Sequence, residues 1–321
     1  MPFFDLPAAE LPNYRSSVTA PEGFDAFWAK TLAETRQHPL EANFAPFDAG
    51  LAAFEVFDVT YAGFGGHPVR GWYIKAKGVP GDGSAVVKFI GYNGGRAFPH
   101  EHLLWPSTGR PVLVMDTRGQ GSGWSRGETA DPVGSDPAQA GFMTRGIASP
   151  DSYFYRRVFT DGVRAVEAIR TRDEVDPARV GVVGGSQGGG ISLAVAGLVP
   201  TVKACMPDVP FLSDFPRAIG LASRDPYGEV SRFLAVHRDK VANALETLRY
   251  FDTVNFGPRA KAHALFSVAL MDTICPPSTV YGAFNAYGGA SKKILSYAYN
   301  DHEGGGAFQE RAQVDWLTGV L

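Results

Sequence analysis

The sequence predicts an α/β fold: a mostly parallel, eight-stranded sheet flanked by helices, with an N-terminal arm over 1–50 and a cap-like helical insertion over 210–258 after the sixth strand. Three observations predict it. Short apolar runs alternate with longer segments of helical periodicity, the pattern of successive βαβ units. One such run, at 180–183, passes through a glycine-dense turn directly into a packed helical segment at 191–198. The chain of 321 residues can bury a large core, and no linker interrupts it, so 1–321 reads as a single domain.

Each element has its own warrant. Pro7, Pro12 and Pro21 punctuate the arm, and Phe24, Phe27, Trp28 and Leu32 stand at helical spacing within 24–35, a stripe that docks the arm onto the main body. Strands at 53–61 and 69–74 flank Gly63-Phe-Gly-Gly66 and read as a hairpin. Strands three and four are 85–90 and 111–116. A long excursion rich in Gly, Pro and Asp follows over 127–150, near the mouth of the sheet. Val158, Phe159, Val163, Val166 and Ile169 mark one face of a helix over 156–172. The fifth strand is 180–183 and the sixth 202–206. The insertion then breaks the alternation and scatters aromatics among charges; its place above the strand ends would limit a substrate. Strands at 264–270 and 294–298 and a terminal helix complete the chain.

Bulk properties exclude several functions. Net charge is −3 without a basic block or stripe, which argues against a nucleic-acid partner. No apolar run approaches the roughly 18 residues of a membrane span. The start, Met1-Pro-Phe-Phe-Asp-Leu-Pro7, has neither a basic nor an apolar signal region, and the only cysteines are Cys205 and Cys275; both facts point to the cytoplasm. The two cysteines read as small buried thiols. His100-x-His102 has no matching carboxylate or cysteine cluster, so no metal is expected. The glycines of the loop 116–124 match no nucleotide fingerprint, so no cofactor is expected either.

The turn at Arg179-Val-Gly-Val-Val-Gly-Gly-Ser-Gln-Gly-Gly-Gly190 fits G-x-S-x-G in a strand–turn–helix context, which is a nucleophile elbow. The turn would hold Ser186 strained with its hydroxyl outward, while Gly184 and Gly188 let strand and helix approach. The backbone N–H of Gln187, at the helix start, can face a developing oxyanion. Asp272 follows a late apolar strand, and His302 follows the last one. Ser…Asp…His is the triad order of an α/β-hydrolase, and all three fall just beyond strand ends. A serine hydroxyl needs a base to take its proton; His302 can do so near neutral pH, with Asp272 holding the imidazole tautomer. The loop 91–100 after the third strand would supply the second oxyanion donor, the backbone N–H of Tyr92. Tyr92, Pro210 and the insertion would close a tight acyl pocket. Arg118 would anchor its loop through carbonyls or a carboxylate.

Gly91-Tyr-Asn-Gly-Gly-Arg96, Met115-Asp-Thr-Arg-Gly-Gln-Gly-Ser-Gly-Trp124, Gly184-Gly-Ser-Gln-Gly-Gly-Gly190, Met271-Asp-Thr-Ile-Cys-Pro-Pro-Ser278 and His302-Glu-Gly-Gly-Gly306 together resemble the acetyl xylan esterase / cephalosporin C deacetylase family, carbohydrate esterase family seven. The resemblance runs nearly end to end. It implies a cytoplasmic serine esterase that deacetylates small substrates, namely short acetylated xylo-oligosaccharides and cephalosporin C, and a homo-hexamer built as a dimer of trimers. It also implies Ser186 as nucleophile, His302 as base, Asp272 as its orienter, and Tyr92 and Gln187 as oxyanion donors. Two rivals stand beside it. A peptidase relative would normally carry a propeller domain, and a lipase a broad apolar lid. A non-catalytic scaffold on this fold would usually lack a triad member.

Overall fold

A computed structural model of the chain describes residues 3–289 and 291–321, so Met1 and Pro2 of the arm lie outside the described residues. The strands are β1 Asn43–Phe47, β2 Phe54–Ala62, β3 Pro68–Ala76, β4 Ala85–Phe89, β5 Val112–Met115, β6 Val180–Gly185, β7 Ala204–Asp208, β8 His263–Ala269 and β9 Lys292–Tyr297. The helices are α1 Phe24–Arg36, α2 Leu104–Ser107, α3 Phe154–Ile169, α4 Gln187–Leu198, α5 Phe215–Leu221, α6 Tyr227–Val236, α7 Val241–Arg249, α8 Thr253–Phe256, α9 Pro277–Ala286 and α10 Gly306–Thr318. None is long and apolar enough to cross a membrane among the described residues.

All the strands join one sheet in the order β1-β2-β3-β5-β4-β6-β7-β8-β9. The pairs β1–β2, β2–β3 and β3–β5 are antiparallel, and β5 through β9 run parallel. The expected hairpin is β2–β3, turning at Gly65, whose φ of 66° suits a residue without Cβ. Among the described residues the sheet has nine strands rather than eight. The additional one, β1, lies inside the segment read as an arm, and its side chains are mostly exposed. It is an edge strand containing Pro46 and shows no apolar alternation, so no period-two signal marks it. The insertion consequently follows the seventh strand of the whole sheet. It carries α5 through α8.

The central strands alternate strictly. Val87 and Phe89 of β4 and Leu113 and Met115 of β5 face the larger core under α3, α4 and α9. Val86, Val112 and Val114 face a smaller core that includes Trp105 of α2 and Leu317 of α10. The arm docks as its aromatic stripe implies. Phe24 and Trp28 are buried against Phe256, and the Trp28 indole N–H donates to the Tyr250 carbonyl at 3.0 Å. The helix over 156–172 begins two residues earlier, at Phe154, and ends at Ile169; the sixth predicted strand is shifted to Ala204–Asp208.

The chain reverses its lateral direction at β4, which has β5 on one side and β6 on the other. A crevice forms outside the carboxyl ends of strands at such a switch point. Loops from β4 and β6 therefore border one opening.

Candidate active site

Ser186 sits at that opening with φ 56° and ψ −120°, a conformation L-residues rarely adopt. Its surroundings hold it there. Its N–H donates to the Asp208 carbonyl at 2.9 Å, and its carbonyl accepts from Gly190 and Phe211 at 3.0 Å each. The turn can be this sharp because of two glycines: a Cβ on Gly188 would lie 2.3 Å from the Phe89 carbonyl oxygen, and one on Gly184 would lie 2.5 Å from Gly188. The sequence-derived elbow is thus present in backbone geometry.

Asp272 lies three residues beyond β8 and is fully buried; His302 lies beyond β9 and is partly exposed. Asp272 Oδ2 accepts from His302 Nδ1 at 2.8 Å. Its other oxygen, Oδ1, accepts from the N–H groups of Ile274 and Cys275 at 2.8 and 2.9 Å. Both carboxylate oxygens are therefore committed, which fixes the imidazole orientation and leaves Nε2 as the ring nitrogen that Asp272 does not engage. The neighbours Asp301 and Glu303 turn elsewhere: Asp301 pairs with Arg224 at 3.7 Å, and Glu303 accepts from Asn300 at 2.5 Å, which holds its carboxyl below the usual range.

Ser186 and His302 line one cleft of about 650 Å³. Tyr92 lines it too, as do Trp124, Glu101 and Glu303, and the insertion contributes Asp225 and Pro226. Pro210 does not line it; Val209 takes that place. Gln187 is the first residue of α4 and is buried, with its side chain turned inward. Among the described residues, neither the Tyr92 nor the Gln187 backbone N–H donates to a protein acceptor. Both N–H groups are therefore open to an acceptor from outside the chain.

The loop around Tyr92 is held from several sides. The Asn93 N–H donates to Gln120 Oε1 at 2.7 Å, Gln187 Nε2 donates to the Ile90 carbonyl at 3.2 Å, and the exposed Trp124 donates its indole N–H to the Tyr92 carbonyl at 2.8 Å. Gln120 is a site residue that the sequence reading missed; its only signal was its place beside Arg118 in the Arg-Gly-Gln run. Arg118 itself is the anchor expected of it. Its Nε and Nη2 reach the Asp161 carboxylate at 2.5 and 2.7 Å, and Asp131 completes the buried cluster.

Cys275 is buried beside the Asp272–His302 pair, and its sulfur lies within 4.8 Å of ligand atoms of both residues. Burial pushes its thiol well above the ordinary range, so it stays protonated. Asp272 and His302 are already bonded to each other, and this set is poorly suited to a metal. Burial also raises the carboxyl of Asp208, which lines the cleft, to about 7, although Gln309 and Gln313 each donate to it at 2.8 Å.

Comparison with known proteins places this geometry. The acetyl xylan esterase (AXE1) family model matches residues 1–320. The structure is similar to an acetyl xylan esterase from Paenibacillus sp. R4, with a TM-score of 0.90, 37% identity, and coverage of 98% of this chain and 100% of that one. It is also similar to acetyl xylan esterase 1 from Thermoanaerobacterium sp. JW/SL YS485, with a TM-score of 0.88, 32% identity, and coverage of 98% and 99%. In sequence it is 28% identical over 292 residues to acetyl esterase Axe7A of Xylanibacter ruminicola. That alignment takes in 88% of this chain, and the chain spans 63% of the length of that relative. An elbow serine, a buried carboxylate–imidazole pair beyond the strand ends and an α/β-hydrolase sheet agree with a family match across the whole span: the chain belongs to the acetyl xylan esterase family, whose named members are carboxylic ester hydrolases.

Proposed function

We propose that this protein is a serine esterase that removes acetyl groups from small esters through an acetyl-enzyme. The observation that carries the reading is the 2.8 Å Asp272–His302 hydrogen bond beside a strained Ser186 in one cleft. In this reading Ser186 Oγ attacks the ester carbonyl carbon while His302 Nε2 takes the hydroxyl proton. The carbonyl oxygen becomes an oxyanion and accepts from the Tyr92 and Gln187 N–H groups. Collapse breaks the bond to the alcohol, which leaves with the proton from His302. Water, deprotonated by His302, then attacks the acetyl-enzyme and releases acetate and free Ser186.

The resemblance supports finer points of the same proposal. The substrates are short acetylated xylo-oligosaccharides and cephalosporin C, the working form is a hexamer built as a dimer of trimers, and the site of action is the cytoplasm. The span 1–321 acts as one catalytic domain with 210–258 as its cap. One sheet running through the span supports that view.

The test is acetate release from 4-nitrophenyl acetate, acetylated xylobiose and cephalosporin C by wild type and Ser186→Ala. The proposal expects turnover by wild type and background rates from the variant. An active variant would remove Ser186 from the mechanism; preference for long-chain esters or proline amides would favour a lipase or peptidase.

A further inference from the structure

Tyr92 is assigned to the oxyanion hole through its backbone, and its side chain does something separate. The ring packs edge-on between Phe142 and Phe211. The phenol reaches past them to Glu229 of α6, in the insertion, which lies 2.7 and 2.8 Å away through its two carboxylate oxygens. Glu229 is buried. Its carboxylate also accepts from the N–H groups of Gly141 and Met143, each at 3.1 Å. The intervening N–H, from Phe142, donates to the Tyr92 phenol oxygen at 2.9 Å. Three consecutive backbone N–H groups of the excursion thus converge on the Tyr92–Glu229 pair. A carboxylate is acceptor-only, so it can serve the phenol and the backbone groups at once.

We propose that Glu229 is a positioning residue for the oxyanion hole: by clamping the Tyr92 phenol it sets the direction of the Tyr92 backbone N–H. The inference rests on the oxyanion role proposed above for that N–H. The Tyr92 carbonyl is held by Trp124 and the next N–H, that of Asn93, by Gln120. The phenol clamp is the third restraint, and among the described residues the Tyr92 N–H itself has no protein acceptor. The chemistry explains why two segments distant in sequence, 141–143 and α6, meet at this loop. A donor aimed beforehand at an incipient oxyanion needs no reorganisation during reaction, and small misplacements are costly.

The test compares Glu229→Gln, Tyr92→Phe and the double variant. Glutamine preserves volume but turns an NH₂ toward a backbone N–H, so the clamp breaks without a cavity. Tyr92→Phe removes only the hydroxyl and keeps the ring packing, so it still reports if the glutamine variant folds poorly. Rates are expressed per active site, counted by endpoint titration with a fluorophosphonate. Each single variant is expected to lose about tenfold to a hundredfold in kcat on 4-nitrophenyl acetate, with KM within about twofold. Affinity for a boronic acid that adds to Ser186 should fall by the same factor. The double variant should be no slower than the slower single one, because both break one clamp. A glutamine variant with kcat within about twofold of wild type, or singles whose losses multiply, would overturn the proposal. Ser186→Ala separates the two failures: activity there sinks the esterase reading, whereas a dead Ser186→Ala beside an unimpaired Glu229→Gln sinks only the clamp.

Discussion

Gln120 and Gln187 pair twice through their side-chain amides. Gln120 Nε2 donates to Gln187 Oε1 at 2.8 Å, and Gln187 Nε2 lies 3.1 Å from Gln120 Oε1. The Tyr155 hydroxyl also donates to Gln187 Oε1 at 2.8 Å. All three side chains are buried. The pair joins the loop after β5 to the elbow helix, and through Asn93 and Ile90 it holds both ends of the peptide segment that carries Tyr92. Buried amides of this kind are costly to leave half-paired, so the arrangement is cooperative.

Gln120→Ala should therefore loosen both N–H groups proposed as oxyanion donors at once. The expected result is a fall in kcat of about tenfold to a hundredfold with KM nearly unchanged. Steady-state kinetics on 4-nitrophenyl acetate check it; a rise in KM alone would show that Gln120 serves substrate binding instead.

Asp272→Asn tests the carboxylate–imidazole pair. The introduced amide would still accept the Ile274 and Cys275 N–H groups through its oxygen, so the loop should keep its shape. Its NH₂ would face His302 Nδ1 and favour the wrong tautomer. The expected loss in kcat is about 10⁴-fold with thermal stability little changed. A loss of less than about tenfold would place the orienting carboxylate elsewhere.

Asp208 predicts a pH dependence of stability. Burial raises its carboxyl to about 7, above the ordinary aspartate value of 3.8. Between those limits the folded protein holds a proton that the unfolded chain has released. This contribution is fully present below pH 3.8 and is lost as pH rises toward 7. Asp208→Asn cannot titrate, so its stability should fall less than that of wild type between about pH 4 and 7.5, by at most about 4 kcal/mol. Urea unfolding across that range checks it, and parallel curves for the two proteins would refute the assignment.

Much of the framework was legible because it depends on local pattern. The elbow is one case: Gly184, Ser186 and Gly188 encode a close strand–helix turn that few other residues could make. The placement of Asp272 and His302 just past strand ends is another, since apolar runs mark the strands and polar residues mark where they stop. The edge strand β1 was not legible, because exposed edge residues have no burial pattern to impose alternation. Nor was Pro210's absence from the cleft wall, which depends on how the chain bends after β7.

By itself the sequence determined the alternation of the central strands and helices, the elbow, the triad candidates and the family, since each is written in residue type and spacing along the chain. Only the tertiary structure decided which groups meet: Gln120 with Gln187, Glu229 with Tyr92, and Asp208 with Gln309 and Gln313. Those pairs are separated by 67, 137, 101 and 105 residues respectively. Hydrogen bonds act over a few ångströms with strict direction, and contacts so distant in sequence arise only after the sheet has brought its loops to one edge.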